Sequence, residues 1–296
     1  MPPSAVRPEP APPELQRRGW HPLIAGRPPD WACAWGEDTF GVYAAFAVAG
    51  VGLRLRWIHP GSFQMGSPGD EYGRTRSEGP PHSATLTRGF WLANVPVTQA
   101  LWEQLMPDNP SRFHSLQRPV EAVSWDECQR FITRLRAAVP GLAARLPSEA
   151  EWEYACRAHT DTATYAGDFD KSAAADVLDP IAWYAANCGR QTHDVAHKRA
   201  NAWGLHDMLG GVWEWCADGM RVYSPDAVVD PVGPMAPTSP RVYRGGAWGT
   251  SATSVRASRR RDARPGVRDD LIGFRLAVDH TAAAGSVGIP GSRSRS

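Results

Sequence analysis

The sequence predicts one large α+β domain with a short tail at each end. Two kinds of pattern predict it: stretches that alternate apolar and charged residues, typical of strands, and helically spaced stretches that follow capping residues. The composition agrees, because 13 Trp can fill a core, and 27 Pro with 28 Gly indicate many turns and short elements. At roughly 100–200 residues per domain, a chain of 296 residues also allows two small domains.

We place the domain at residues 31–278. Residues 1–30 are rich in Pro and lack periodicity, which predicts a flexible tail or an extended segment lying on the domain. Trp31, Trp35 and Phe40 indicate that part of the N-terminal region packs on the core. Residues 279–296 end in GSVGIPGSRSRS, a composition typical of a disordered tail.

Charge and hydropathy favour neither a membrane nor a nucleic acid as partner. The formal net charge is +1, so bulk charge attracts neither. The longest apolar run, residues 42–53, is shorter than the roughly 20 residues that a membrane-spanning helix needs. The N-terminus has no apolar stretch of signal-peptide type, so we expect a cytoplasmic protein.

Three strands can be placed from the pattern. Residues 53–58 alternate apolar and charged side chains, which predicts a strand with one face in water. Residues 84–92 predict a second strand. Residues 273–278 predict a closing strand with Phe274 and Leu276 on one face and Arg275 on the other.

Three helices can be placed as well. The first covers about residues 98–106, where apolar side chains repeat at i, i+4. The second begins at Ser124, whose hydroxyl and the Glu127 carboxylate form a capping box for orphan backbone N–H groups. The third begins at Ser148, with Glu151 in the same role. Beyond Arg157 the sequence predicts loops and short strands and no further helix.

The five cysteines are predicted to be buried, reduced thiols. Their number is odd and no pair has C-x-x-C spacing, unlike a zinc site or a disulfide framework. Cys128 and Cys156 fall on apolar helical stripes. His193 and His197 are four residues apart in a predicted loop or strand, and we expect two solvated side chains there and not a metal site.

A set of phrases then gives a family resemblance. In this order and spacing they resemble the formylglycine-generating enzyme family over about residues 50–278. The resemblance implies a C-type-lectin-like fold with short twisted strands, two main helices and long ordered loops. The phrases are GSFQMGS (61–67), PVT (96–98), RPV (118–120), VSW (123–125), LPSEAEWEYA (146–155), NAWGL (201–205), DMLGGVWEW (207–215), RGGAW (244–248) and GFRL (273–276).

The chemistry of the resemblance favours a non-catalytic protein. The family includes copper-dependent oxidases, iron-dependent sulfoxide synthases and relatives without activity, so the site must decide. The oxidases hold Cu(I) with two cysteines, because this metal prefers soft thiolates. The matching positions here are Thr250 and Val255, so we expect no copper. The iron enzymes carry their histidines in an additional helical domain for which this chain is too short, so we expect no iron.

Residues 247–272 have a pattern of their own. Many relatives are rich in Asn there, whereas this chain has chemically unrelated residues on an intact framework. That pattern resembles the variable proteins of diversity-generating retroelements. In those systems adenines of a template are copied with errors, so that Asn codons become codons for many different residues. Glu, Lys, Gln, Met and Trp cannot arise from a randomised codon ending in C, and none occurs in 249–271. The scattered positions are Gly249, Thr250, Ser251, Ser254, Arg261, Ala263, Val267, Asp269 and Leu271.

We therefore predict a ligand-binding surface on this segment. Exposed substitutions on a rigid scaffold usually cost within about 0.5 kcal/mol, so such a surface can vary while the domain stays folded. The arginines at 256, 259, 260, 261 and 264 make the segment locally basic. The sequence leaves open a solvated basic loop or an acidic or aromatic protein ligand. Nucleic acid is not expected, because Trp248 is the only aromatic residue nearby. The predicted surface comprises Trp248, Gly249, Thr250, Ser251, Thr253, Ser254, Arg259, Arg261, Ala263, Arg264, Val267, Asp269 and Leu271.

The resemblance also implies a structural calcium site. Relatives with the Gly-Asn-Val-Trp-Glu-Trp motif often hold Ca²⁺ there. By position, Asp207 and Glu214 would give carboxylates, and Gly210 and Val212 would give backbone carbonyls. Hard oxygen ligands of this kind suit Ca²⁺. The alternative is a Glu214 that accepts backbone N–H groups without any metal.

Two other functions remain open. The domain could be a divergent oxidoreductase or sulfur-chemistry enzyme whose pocket uses Glu149, Glu151, His82 or Asp218. It could also be a structural or regulatory partner in a larger assembly, with the Pro-rich N-terminus as its docking arm.

Overall fold

In the computed structural model, residues 22–23 and 28–280 are described. They form short strands and four α-helices around long ordered loops. The elements in chain order are β1 (Ala34–Asp38), β2 (Gly41–Val48), β3 (Val51–Ile58), β4 (Gly61–Met65), β5 (His82–Leu86), β6 (Phe90–Ala93), α1 (Gln99–Glu103), α2 (Trp125–Ala138), β7 (Ala144–Arg145), α3 (Glu149–Arg157), α4 (Ala174–Leu178), β8 (Trp213–Trp215), β9 (Val228–Val229), β10 (Arg241–Arg244), β11 (Arg260–Ala263), β12 (Ile272–Gly273) and β13 (Ala277–Asp279).

The strands form three sheets. The largest has the order β1-β2-β3-β6-β13-β7, and a three-stranded sheet has the order β4-β5-β9. The third sheet, β11-β10-β8-β12, contains the C-terminal segment and places β11 at its edge. The chain leaves this sheet after β12 and returns to the largest sheet as β13, so the C-terminal segment is held at both ends.

The N-terminal region contributes a hairpin to the largest sheet. Strand β1 pairs with β2 over five residues, and β2 pairs with β3. Trp31 is buried with its ring edge on Trp91, at 6.0 Å between centroids, and Trp35 is partly buried against the same core. Phe40 lies at the hairpin turn and is 43% exposed. The predicted boundary at residue 31 stays a prediction, and most of the Pro-rich segment lies outside the described residues.

The two capping boxes are confirmed. The Ser124 hydroxyl accepts the Glu127 N–H and the Glu127 carboxylate accepts the Ser124 N–H, and Ser148 with Glu151 repeats the arrangement. Helix α1 begins behind the Thr98 cap as predicted but ends at Glu103. It ends there because Pro107 has no N–H to donate to the Glu103 carbonyl, and its ring would clash with that carbonyl in a longer helix. The short helix α4 was not predicted.

Two of the predicted strands are each split into two separate strands in the structure. The 84–92 stretch is interrupted at 87–89, so β5 and β6 lie in different sheets. A side chain at Gly89 would stand 2.2 Å from the Trp57 ring, so the chain passes there only as glycine. The closing stretch is divided between β12 and β13. The predicted wet face of β3 is also partly wrong, because Arg56 is buried and donates to Asp38 at 2.7 Å.

Tryptophans and other aromatic residues fill the core between the sheets and helices. Trp102 stacks on Phe131 at 5.4 Å, and Phe274 meets both rings edge-on. Four of the five cysteines are buried and all five are free thiols, whereas Cys33 is exposed. Burial raises the pKa of Cys128 and of Cys156. The prediction of buried reduced thiols is therefore confirmed except at Cys33.

Candidate ligand-binding surface

The C-terminal segment leaves β10 through Gly245 and Gly246, both of which have positive φ. A Cβ at Gly246 would lie 2.9 Å from the Ser254 carbonyl oxygen, so this close approach requires glycine. The Trp248 N–H then donates to the Gly211 carbonyl at 2.9 Å. A short 3-10 turn (Ala252–Ser254), strand β11 and the loop at 264–271 complete the segment.

Buried arginines hold this segment to the rest of the domain. Arg244 lies 2.5 Å from Glu153 and 3.1 Å from Glu149, and all three side chains are buried. Arg260 lies 2.5 Å from Glu149. Removing one partner of such a pair leaves an uncompensated buried charge, which is why these contacts fix the path of the chain.

Arg256 is the most highly bonded of these residues. It donates to Glu78 at 2.8 and 3.0 Å, to the Gly73 carbonyl at 2.8 Å, and to the Glu71 carboxylate. Burial alone would raise the pKa of Glu78, but the hydrogen bonds and charge of Arg256 hold it below its ordinary value. The loop at 71–78 is thereby joined to the segment.

The segment is less basic than predicted, because several of its arginines are paired with carboxylates. Arg256 and Arg260 are buried and paired, and the half-buried Arg259 lies 3.2 Å from Glu78. Arg261, Arg264 and Arg268 are the exposed arginines of the segment. The sequence could not distinguish them, because the carboxylates that pair with the buried ones lie more than 100 residues away.

The predicted surface positions fall outside the core, with one exception. Ser254 is only 8% exposed, because its N–H donates to Ser251 and its carbonyl faces Gly246, so its assignment to the surface was wrong. The framework residues Val255, Ala257 and Ile272 are buried. The exposed positions are Gly249, Ser251, Arg261, Arg264, Val267 and Asp269, and the half-buried ones are Trp248, Thr250, Thr253, Arg259, Ala263 and Leu271.

The two positions that match copper-binding cysteines have other roles. The Thr250 hydroxyl donates to the Ala247 carbonyl at 2.9 Å and accepts the Ala247 N–H at 3.0 Å, which closes a turn. Val255 is fully buried in the core. Neither side chain offers a soft ligand for Cu(I). Burial raises the pKa of the nearby Cys216 thiol well above its ordinary value, so this cysteine does not supply a thiolate either.

The four candidate residues for an enzyme are engaged in structural contacts. Glu149 pairs with Arg244 and Arg260, and its N–H donates to Asp218 at 2.8 Å. Burial and the charge of Glu149 raise the pKa of Asp218 to about 6. The arrangement brings Glu149 and Asp218 together and leaves neither carboxylate aimed at open space.

The other two candidates lie apart from this pair. His82 is buried, with Nε2 2.9 Å from Arg221 Nη2 and Nδ1 3.1 Å from the Pro80 carbonyl. Glu151 pairs with Arg145 at 2.6 Å and lines a cavity of about 250 Å³. A second cavity, of about 380 Å³, lies beside Tyr243 and Arg261. Trp248 lines neither of these two cavities.

The loop predicted to hold calcium contains two buried carboxylates, and Arg275 from the closing segment pairs with one of them. Glu214 accepts Arg275 at 2.5 and 2.6 Å and the Trp152 indole N–H at 2.6 Å, so its partners are side chains and not the backbone N–H groups of the alternative. Asp207 accepts the Ala196 N–H at 2.7 Å. Burial raises the pKa of both carboxyls. One guanidinium against two carboxylates leaves negative charge in excess.

Asp207 and Glu214 are oxygen donors of the class that a hard divalent cation takes, although both Glu214 oxygens already accept Arg275. Carboxylate and carbonyl oxygens are what Ca²⁺ prefers, and a second positive charge would offset the excess. Within the described residues no group of three His, Cys, Asp or Glu side chains could hold a metal ion. A cation in this loop would therefore depend on the backbone carbonyls of Gly210 and Val212.

The histidine pair behaves differently from the prediction. His193 stacks on Trp183 with 3.8 Å between ring centroids, and its Nε2 lies 2.7 Å from the Cys188 carbonyl oxygen. The prediction of a solvated side chain was therefore wrong for His193, whereas His197 is exposed.

Two loops outside the segment border it, and the sequence analysis missed both. Phe113 meets Trp248 edge-on at 5.3 Å, and Arg112 pairs with Asp270 at 2.6 Å. On another side, a Cβ at Gly73 would lie 2.6 Å from the Thr253 side chain. The only sequence signal for these loops was their density of Gly, Pro and polar residues, which does not say what they contact.

Comparisons with known proteins agree on one family. Residues 54–280 match the family model described as "Sulfatase-modifying factor enzyme 1-like domain". The chain is 28% identical to the formylglycine-generating enzyme of Mus musculus over 222 residues, which cover 69% of this chain and 55% of that enzyme. It thus spans about half the length of that relative.

Two solved structures share the fold over most of this chain. Treponema denticola variable protein 1 has a TM-score of 0.70 and 28% identity, covering 80% of this chain and 98% of that one. PvdO from Pseudomonas aeruginosa has a TM-score of 0.69 and 25% identity, covering 79% and 97%. The predicted fold class is thereby confirmed. No helix among the described residues is long and apolar enough to cross a membrane.

Proposed function

Since the chain belongs to the family of the sulfatase-modifying factor enzyme 1-like domain, we propose that it is a non-catalytic member that binds a ligand through a diversified C-terminal surface. The observation that supports this most is the alternation along 248–271. The residues that the codon argument treats as free to vary are exposed or half-buried apart from Ser254, whereas the framework residues Val255, Arg256, Ala257 and Arg260 are buried in ion pairs or core. A surface of this kind can change its side chains at little cost in stability.

Two further observations support a binding role over an enzymatic one. Thr250 and Val255 occupy a closed turn and the core, so the positions that match the copper ligands are used structurally. The structural likeness to Treponema denticola variable protein 1 covers nearly all of that protein. The cytoplasmic location stays a prediction, as does the docking role of the Pro-rich N-terminus.

The genomic DNA beyond the stop codon tests the retroelement part of this proposal. We expect a near-repeat of the sequence that encodes residues 247–272, differing at adenines, together with a reverse transcriptase gene. Sequencing on the order of 5 kb downstream and finding neither would remove the retroelement, since copying from a template requires both.

We also propose that the loop at 207–214 binds a structural calcium ion. Asp207 and Glu214 would supply carboxylates, Gly210 and Val212 would supply carbonyls, and the bound ion would offset buried negative charge. A ligand at 100 times its Kd raises the free energy of unfolding by about 2.7 kcal/mol. We therefore expect a raised melting temperature when calcium is added to chelator-treated protein, and no response in the Asp207→Asn variant. Titration calorimetry without heat, together with an unchanged melting temperature, would contradict a calcium site.

A further inference from the structure

We propose that the partner of this surface is a protein that packs apolar side chains against two fixed aromatic anchors, Phe113 and Tyr72. The inference rests on the proposed function and names the chemistry of the ligand. Both anchors lie outside residues 248–271, so they stay constant while the variable positions change.

The charges of the surface argue against an acidic ligand. Three of its charged side chains are paired with the scaffold: Arg259 with Glu78, Arg268 with Glu127, and Asp270 with Arg112. The remaining exposed charges of the segment balance, because two arginines stand against two aspartates. These four are Arg261, Arg264, Asp262 and Asp269. With no net charge to complement, the complementary partner surface is neutral, and aromatic or aliphatic contacts must supply the binding energy.

Phe113 is the better supported of the anchors. Its ring meets Trp248 edge-on, and the Arg112 guanidinium lies over the Phe113 ring at 5.0 Å from its centroid. Trp248 donates its indole N–H to the Asp270 carbonyl at 2.9 Å, so the polar edge of the indole is satisfied internally. Aromatic residues, Phe included, and arginine are enriched at protein interfaces relative to the rest of the surface.

The loop that carries Phe113 is fixed by hydrogen bonds to two buried side chains, those of Gln99 and Glu121. The Gln99 side chain donates to the Phe113 carbonyl at 2.8 Å and accepts the Ser115 N–H at 3.2 Å. Glu121 accepts the Phe113 N–H at 3.0 Å. Leu116 follows on the same loop and is 57% exposed. Because the loop is preorganised by buried side chains, little entropy is lost when a partner orders it.

Tyr72 is the second anchor. It is 38% exposed and meets Phe169 edge-on at 6.1 Å. Its neighbour Gly73 touches Thr253, and the Gly73 carbonyl accepts Arg256. Tyr72 is thus fixed beside the 3-10 turn at 252–254, whereas Phe113 is fixed beside Trp248. A constant aromatic contact at each of these places allows the positions between them to set specificity without losing all affinity.

A display library of the full chain tests the inference. Gly249, Ser251, Arg261, Val267 and Asp269 are randomised with codons of two random bases followed by C, and phage are selected on lysozyme as a defined protein target. In the recovered binders, Tyr72→Ser and Phe113→Leu are then introduced singly and together. Phe40→Ser is the matched control, because Phe40 is an exposed aromatic residue on the β1–β2 turn, outside the surface.

We expect the double variant to bind at least tenfold more weakly and the Phe40→Ser control to bind within twofold, with melting temperatures unchanged. Raising NaCl from 50 to 500 mM screens charges, so we also expect affinity to change less than threefold. If the double variant binds within twofold, or if salt alone weakens binding tenfold, the inference is wrong and the proposed function stands. If the library yields no binders at all, the proposed function itself fails.

Discussion

Arg256 and Arg261 lie five residues apart and should respond to substitution in opposite ways. Arg256→Met removes a buried guanidinium, which leaves Glu71 without its ion-pair partner and Glu78 with only the half-buried Arg259. Breaking a buried pair from one side costs about 3–5 kcal/mol. Arg261 is exposed at the edge of the β-sheet, and a surface substitution such as Arg261→Met changes stability by about 0.5 kcal/mol or less.

These free energies convert into well-separated melting temperatures. For a domain of about 150–250 residues, 1 kcal/mol corresponds to roughly 2–4 °C. We therefore expect Arg256→Met to melt about 6–20 °C lower than the parent and Arg261→Met to melt within about 2 °C of it, measured by calorimetry and urea unfolding. The Arg256→Met/Glu78→Gln double variant should lose less stability than the two single variants lose together, because the second change removes the unpaired charge. Equal melting temperatures for Arg256→Met and Arg261→Met would refute the division of the segment into buried residues that stabilise the fold and exposed residues that do not.

Further predictions concern two glycines and one carboxyl. Gly249→Ser should cost less than about 1 kcal/mol of stability, because the added Cβ meets only the flexible end of Leu271. Gly246→Ser should unfold the domain, because Gly246 has a φ of 79° and an added Cβ would lie 2.9 Å from the Ser254 carbonyl oxygen. Thermal melts of the two variants under the same conditions test both expectations. Burial raises the pKa of Glu121 to about 7, so this carboxyl stabilises the fold fully below about pH 4.5, and its contribution is lost as the pH rises through 7. The Glu121→Gln variant has no carboxyl to ionise at this position. Its free energy of unfolding should therefore rise relative to that of the parent between pH 5 and pH 8, by at most about 3 kcal/mol. If urea unfolding gives the same difference between variant and parent at both pH values, Glu121 ionises normally.

Local signals in the sequence predicted local structure well. The Ser124 and Ser148 caps depend on residues three positions away, and both helices begin where the capping boxes place them. The strand at 84–92 was misread because its break at Gly89 depends on the ring of Trp57, more than 30 residues earlier in the chain. Hydrophobic periodicity does not record such a contact.

The candidate surface was predictable in outline but not in charge. The outward positions of 249–271 could be identified by their scatter on an intact motif framework, and Ser254 alone of the predicted set is buried. The burial of Arg256 and Arg260 could not be predicted, because an arginine beside an acidic partner distant in sequence has the same local pattern as a solvated one. For the same reason, the sequence did not show that the loops carrying Phe113 and Tyr72 border this surface.

The central claim is that the segment combines a buried frame with outward positions that can change freely. A saturation scan of residues 248–271, with the level of folded full-length protein as the readout, tests it most directly. The account predicts that most substitutions at Gly249, Ser251, Arg261, Val267 and Asp269 keep the parent level, and that nearly all at Val255, Arg256, Ala257 and Arg260 abolish it. Similar tolerance in both groups, or intolerance at the outward positions, would contradict it.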